Sequence, residues 1–253
     1  MNNKQLICKL LKGIETGDPE SVTVVNEEKY IQHNPQTHEG SEGLAVLFKR
    51  LSKTSPKINI VRIFEDGDFV FAHTEYDFAN RNIGFEVFRF ENGQAVEHWD
   101  NIQKRKGPNS AGFSMVDGET EVSDHESTET NRSLIKLFVE EVLIQGNVDQ
   151  LTDYINQKCY TEHNPNLGND LSELKLSLSR SREGSSTAIN YSKCHRLLAE
   201  GNFVLSVCEG FIDNVHYSLF DLYRLEDGQI VEHWDTTEEI PDRGLWKNSN
   251  GKF

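Results

Sequence analysis

The chain has 253 residues, with 26 Lys and Arg against 41 Asp and Glu, a net charge of −15 and a pI near 5.0. No basic run exceeds Lys104-Arg105-Lys106, so binding to a phosphate backbone lacks electrostatic support and nucleic acid is not an expected partner. The chain has no stretch of 18 apolar residues and no leader-like amino terminus, and its four cysteines (Cys8, Cys159, Cys194, Cys208) show no Cys-x-x-Cys spacing; this reads as a soluble cytoplasmic protein with no membrane role, whose thiols are reduced, buried and inert.

Leu6, Ile7, Leu10, Leu11 and Ile14 recur at helical spacing and stop at Gly17-Asp18-Pro19, which predicts an amphipathic first helix. A second helix is expected over 19–29, ending at Tyr30-Ile-Gln-His-Asn-Pro35, where Pro35 excludes helical geometry at Asn34, and a third over 43–52. The period then changes to that of strands over 58–64, 69–78, 85–90 and 95–102, with turns at Asp66-Gly67 and Asn92-Gly93.

The same series then begins again. Leu134, Ile135, Phe138, Val139, Val142 and Leu143 predict an opening helix, 148–158 and 171–179 two more, and Tyr160-Thr-Glu-His-Asn-Pro165 repeats the earlier motif. Residues 85–100 (Phe-Glu-Val-Phe-Arg-Phe-Glu-Asn-Gly-Gln-Ala-Val-Glu-His-Trp-Asp) return at 220–235 as Phe-Asp-Leu-Tyr-Arg-Leu-Glu-Asp-Gly-Gln-Ile-Val-Glu-His-Trp-Asp. A repeat of this length is domain-sized. We read domains over 1–117 and 130–253 joined by an acidic tether over 118–129, each an α+β unit with helices first and an antiparallel sheet after. The tails 108–113 and 247–253 also resemble each other.

With Asn92-Gly93 as the two loop residues the turn fixes the register, so that Glu91 faces Gln94, Phe90 faces Ala95, Phe88 faces Glu97 and Glu86 faces Trp99. Alternation then gathers Glu86, Phe88, Glu97 and Trp99 on one face, and Asp221, Tyr223, Glu232 and Trp234 in the second copy. Arg89, His98 and Asp100, with Arg224, His233 and Asp235, fall on the other. His98-x-Asp100 and His233-x-Asp235 could ligate a metal, but on that face we expect them to bond to Arg89 and Arg224 instead, so no metal is expected. With no Gly-rich phosphate loop and no zinc spacing, no cofactor is expected either.

Taken in order, Tyr-x-[Gln/Glu]-His-Asn-Pro, [Glu/Asp]-Gly-[Asp/Asn]-Phe-Val, Arg-x-Glu-x-Gly-Gln-x-Val and Glu-His-Trp-Asp resemble the SnoaL-like proteins, relatives of polyketide cyclases. The resemblance implies two tandem cone-shaped domains of the fold shared with ketosteroid isomerase and nuclear transport factor 2, each with about three helices packed on a curved sheet. Members of the family pair through their sheets, which implies an internal pseudo-dimer here and a monomer or dimer in solution.

The resemblance also implies a cofactor-independent lyase or isomerase, aldol-cyclase-like or dehydratase-like, acting on a small apolar carbonyl compound in the cone; the alternative is a binding or scaffold protein without turnover. Glu86 and Asp221 hold the position of an acid that points into the cone of ketosteroid isomerase. With Glu97 and Glu232 as their neighbours, and His33, His163 and His73 able to orient a carboxylate, these are the candidate catalytic residues. Candidate binding residues are Tyr30, Asn34, Phe88, Trp99 and Gln103, then Tyr160, Asn164, Tyr223, Trp234 and Glu238. Gln103 and Glu238 stand where cyclases of the family usually carry an aspartate, a departure that weighs against cyclase chemistry, most of all in the first half because an amide cannot abstract a proton.

Overall fold

The computed structural model describes residues 1–78, 80–179 and 189–253. The chain divides into two compact units, one of residues 1–104 with 240–253 and one of residues 105–239. Each unit therefore contains the tail that follows the other repeat's last strand, which differs from the expected boundaries at 117 and 130.

In unit 1, α1 (Asn3–Thr16) starts at a capping box between Asn2 and Gln5 and stops at Gly17, whose φ of 71° only glycine adopts cheaply. It buries Ile7, Leu10, Leu11 and Ile14 against the sheet. The expected second helix is only a 3-10 segment, Pro19–Val24, because the chain then becomes extended and bridges to the hairpin at Val25 and Ala95. After the two-residue strand β1 (Ile31–Gln32) and α2 (Gly40–Leu51) come β2 (Lys57–Asp66), β3 (Phe69–Asp77), β4 (Arg81–Glu91) and β5 (Gln94–Lys104). The sheet order is β1-β5-β4-β3-β2, antiparallel except for β1, which runs parallel to β5.

Unit 2 repeats this plan with α3 (Thr128–Phe138), α4 (Leu151–Tyr154), β6 (Thr161–Glu162), α5 (Leu171–Ser179), β7 (Ile189–Glu200), β8 (Phe203–Ile212), β9 (Val215–Glu226) and β10 (Gln229–Glu239), in the order β6-β10-β9-β8-β7. The α+β class and the two curved-sheet units with packed helices stand as expected. One departure is that α3 continues as a π-helical turn, Val139–Ile144, a geometry that is rare and concentrated at functional sites. The acidic tether is also more than a tether. Its acids are exposed, yet Ser123 and Asn202 exchange hydrogen bonds at 3.0 and 2.9 Å, and α3 already begins at Thr128.

The hairpin register decides which residues meet. Asn92 and Gly93 adopt φ of 50° and 79°, and Asp227 and Gly228 49° and 72°, as a two-residue turn with both central residues left-handed requires. Glu91 pairs with Gln94 and Phe90 with Ala95, but next to them Arg89 pairs with Glu97, so Val96 is an extra, bulged residue. In the second copy Leu225 pairs with Ile230 and Arg224 with Glu232, and Val231 is the extra residue. One inserted residue exchanges the two faces of everything beyond it. Glu86 thus sits opposite Asp100 and Phe88 opposite His98, while Val87 sits opposite Trp99.

Candidate active site

The bulge corrects the expected face assignments. Glu97, Trp99, Glu232 and Trp234 lie on the face turned away from the helices, with Gln103 and Glu238, which pair with Ile83 and Ser218 on that same face. His33 stacks on Trp99 with centroids 4.6 Å apart and meets Glu97 Oε1 at 2.9 Å, while Arg89 Nε donates to Glu97 Oε2 at 2.7 Å. The second copy matches: His163 stacks on Trp234 at 4.6 Å and meets Glu232 at 3.2 Å, and Arg224 donates to Glu232. Burial pushes the Glu232 carboxyl up, but His163 and Arg224 outweigh it and hold it below the usual carboxylate range. Burial lowers His33, an effect only partly offset by Glu97 and the Gly251 carbonyl. Glu232 is thus an anchored anion, poorly suited to take a proton, and Glu97 is held by the same pair of partners. His73 is on the same outer face, edge-on to Phe85 and accepting from Arg62 at 3.1 Å.

Facing the helices, each unit instead carries a buried network that includes the histidine and aspartate of Glu-His-Trp-Asp. In unit 1 the Tyr76 hydroxyl donates to Glu86 Oε1 at 2.6 Å, Glu86 Oε2 meets His98 Nε2 at 2.7 Å, and His98 Nδ1 meets Gln32 Oε1 at 3.0 Å. Phe88 stacks on His98 at 4.3 Å, and Asn34 Nδ2 donates to Asp100 Oδ2 at 2.7 Å. The buried Lys252 ammonium donates to the Asp100 carbonyl at 2.7 Å and lies 3.5 Å from Oδ1. The Tyr30 hydroxyl is buried without a hydrogen bond. Glu86, His98 and Asp100 each offer a ligand atom within 4.8 Å of the others. Those groups are already engaged by Tyr76, Gln32 and Asn34, and the Lys252 ammonium supplies the local positive charge, so the arrangement argues for a closed polar network rather than a cation site.

In unit 2 the histidine lies between two carboxylates. His233 Nδ1 meets Glu162 Oε1 at 2.9 Å and His233 Nε2 meets Asp221 Oδ1 at 3.2 Å. Tyr160 donates to Glu162 Oε2 at 2.5 Å, and Tyr191 donates to Asp221 Oδ1 at 3.0 Å. Burial opposes the charge on His233, but Glu162 and Asp221 hold its pKa well above the usual histidine value. Burial likewise opposes the Glu162 charge, and His233 with its other donors holds Glu162 below the carboxylate range.

Asp235 is the exception. Its Oδ2 accepts from Asn164 Nδ2 at 2.7 Å, but its buried Oδ1 has no hydrogen-bond partner among the described residues. Burial, reinforced by Glu162 and Asp221 against the opposing pull of His233, raises its pKa to about 7. Asp235 lines a cavity with Asp221, His233, Tyr160, Asn164, Tyr191 and Tyr223, closed on the helix side by Phe138, Leu143, Leu174 and Leu178. The cavity is small, about 40 Å³. Leu143 belongs to the π-helical turn.

Among the expected site residues, the structure brings together Glu86, Phe88, Tyr30 and Asn34 in unit 1, and Asp221, Tyr160, Asn164 and Tyr223 in unit 2. It separates them from Glu97, Glu232, His33, His163, His73, Trp99, Trp234, Gln103 and Glu238. Unexpected members are Gln32, Glu162, His98, His233, Asp100, Asp235, Tyr76, Tyr191 and Lys252. A signal for His98, His233, Asp100 and Asp235 was present: only the bulged register sets Arg89 beside Glu97 and Arg224 beside Glu232, opposite charges that stabilise a cross-strand pair.

No helix of the described residues is long and apolar enough to cross a membrane. The family model for the SnoaL-like domain matches residues 9–98. Among solved structures, TsrD from Streptomyces laurentii is 20% identical over 40% of this chain and 90% of its own, with a TM-score of 0.36. IdmH, a candidate polyketide cyclase from Streptomyces antibioticus, is 17% identical over 39% and 89%, at 0.35, and a candidate ketosteroid isomerase from Kribbella flavida is 13% identical over 46% and 83%, at 0.38. A search of curated proteins finds no match. The chain thus carries a SnoaL-like domain at residues 9–98, within the first of two units that share one sheet topology.

Proposed function

We propose that unit 2 is a cofactor-independent acid–base site for a small, uncharged, largely apolar carbonyl compound, and that Asp235 moves the proton. The observation that carries this reading is the buried Oδ1 of Asp235, without a hydrogen-bond partner among the described residues, on the wall of a largely apolar cavity and with a pKa raised to about 7. A carboxyl poised there is populated in both forms at neutral pH, the condition that favours a general base that must also return its proton.

Asp235 in its ionised form takes a proton from the carbon beside the substrate carbonyl, and negative charge moves onto the carbonyl oxygen. Asn164 has a second amide hydrogen not used on Asp235 and is the candidate donor to that oxygen. Protonated Asp235 then returns the proton to the same or a neighbouring carbon, giving exchange or isomerisation. Asp221 plays a different part. With Tyr191, His233 and, at 3.4 Å, Ser206 around it, it is fully occupied and holds His233 and the cavity wall in place. Among the described residues the lining includes no Lys or Arg, and its one cation, His233, is already paired with Glu162 and Asp221, which favours an uncharged substrate.

The experiment is deuterium exchange into a panel of small enolisable ketones in D2O. Exchange catalysed by the full chain and lost in Asp235→Asn supports the reading. Equal exchange by both proteins overturns it. The small enclosed volume favours a second reading, a binder without turnover, which predicts ligand-induced thermal stabilisation with no exchange.

A further inference from the structure

Cys194 and Cys208 are 14 positions apart in sequence but directly opposed in the antiparallel pair of β7 and β8. Directly opposed residues share a face and have Cα atoms roughly 4.5 or 5.5 Å apart, both inside the range a disulfide spans. Both side chains belong to the apolar cluster on the helix side, Cys208 fully buried and Cys194 partly exposed. The positions on either side are irregular: the register shifts between Tyr191 and Lys193 and again between Cys194 and Arg196, which gives the strand local freedom to bring two sulfurs together. In unit 1 the equivalent opposed pair is Ile60 and Thr74, so thiols occupy both members of this pair in unit 2 only.

We propose that Cys194 and Cys208 form an oxidative modification site, a cross-strand dithiol that closes to a disulfide on exposure to a hydroperoxide. The two thiols are unequal in the sense this chemistry needs. The contact with Cys208, against the effect of burial, lowers Cys194, whereas the contact with Cys194 and burial raise Cys208 well above the usual thiol range. Cys194 is thus the attacking thiolate and Cys208 the resolving thiol. In the first step the Cys194 thiolate attacks one peroxide oxygen, the O–O bond breaks, and the departing hydroxide takes a proton to leave as water, with sulfenic acid on Cys194. In the second the Cys208 sulfur attacks the Cys194 sulfur, the S–O bond breaks, and the hydroxide leaves as water with the Cys208 proton. One hydrogen peroxide is reduced to two waters, and two thiols are oxidised to one disulfide.

The location bears on the cavity. Tyr191, three residues before Cys194, lines it and donates to Asp221, and Ser206, two residues before Cys208, also reaches Asp221. A bond between the strands at this point would fix the wall that carries both residues.

The test needs no assay of turnover. The folded full chain is treated with hydrogen peroxide, alkylated, digested and analysed by mass spectrometry. We expect a linked peptide pair containing Cys194 and Cys208, lighter by two hydrogens and restored by dithiothreitol. Cys194→Ser should abolish the link and leave Cys208 alkylatable. Cys208→Ser should leave a sulfenic acid on Cys194 that dimedone traps. Oxidation of Cys194 to sulfinic or sulfonic acid with Cys208 still alkylatable would overturn the proposal, as would links made only through the exposed Cys159 or through Cys8.

Discussion

His98 and His233 occupy the same place in two copies of one fold, yet the groups around them differ in charge. His98 lies between the Glu86 carboxylate and the Gln32 amide, and the neighbouring Asp100 is met by the Lys252 ammonium. His233 lies between the Asp221 and Glu162 carboxylates, and the neighbouring Asp235 is met, among the described residues, by the Asn164 amide alone. The backbone plan and the bulge are shared, so the difference lives in a few side chains. Changing Gln32 for Glu162 adds a buried anion near Asp235, and among the described residues no lysine meets Asp235 as Lys252 meets Asp100. The result is a carboxyl that titrates near neutrality in unit 2.

The tyrosine at each acid shows how such divergence is accommodated. Tyr76 reaches Glu86 from β3, whereas Tyr191 reaches Asp221 from β7, the counterpart of β2. Tyr76 packs over Gly84, where a Cβ would lie 2.5 Å from its ring. The corresponding positions in unit 2 are Gly210 and Leu219, and there a Cβ on Gly210 would lie 2.8 Å from Leu219. Large and small residues have changed places between neighbouring strands.

The most severe way to break the comparison is to delete Val231. The bulge would vanish and the faces of β10 would exchange, sending His233 and Asp235 outward and Trp234 inward, so unit 2 should lose its cooperative unfolding transition by near-UV circular dichroism. A fully cooperative transition would show that the bulge does not set the register. Next in size, Gly84→Leu should destabilise unit 1 by about 2–4 kcal/mol through overpacking against Tyr76, and adding Tyr76→Gly should recover at least about 1 kcal/mol relative to the sum of the single changes. Purely additive urea-unfolding energies would refute the exchange.

Asp235→Asn tests the electrostatic half. An acid raised from 3.8 to about 7 on folding supports stability below pH 3.8, and that support is lost as pH rises through 7. Substitution should therefore stabilise the protein at pH 8 relative to wild type, by about 1–3 kcal/mol, with the difference vanishing below about pH 4. A pH-independent difference would contradict the raised value. The smallest effect expected is on Glu162→Gln, which copies Gln32. It should bring the His233 titration down in proton NMR, because one of the two carboxylates that raise it is gone, and leave the Tyr160 hydroxyl without its acceptor, as Tyr30 is among the described residues of unit 1.

Much of this was legible in the sequence. The duplication, the first helix of each half, the four long strands and the turns at Asn92-Gly93 and Asp227-Gly228 all follow from spacing and from residues that tolerate positive φ. The two-residue strands at Ile31 and Thr161 did not, because two residues carry no period and their pairing with β5 and β10 is long-range. The bulge escaped because Val96 and Val231 are good strand residues, with no glycine to mark them. Without it the faces of β5 and β10 are reversed, which places Glu97 and Glu232 inside and Asp100 and Asp235 outside. The thiols, expected to be buried and inert, include an exposed Cys159 and an opposed pair that sequence spacing hides.

The central claim is that unit 2 holds one aspartate that exchanges its proton near neutral pH. Carbon-detected NMR of the aspartate carboxyls across a pH titration of the full chain measures this directly. One aspartate resonance with a midpoint near 7 is expected, and it should disappear in Asp235→Asn. A wild-type spectrum in which every aspartate has finished titrating by about pH 5, as unperturbed carboxyls do, would contradict it.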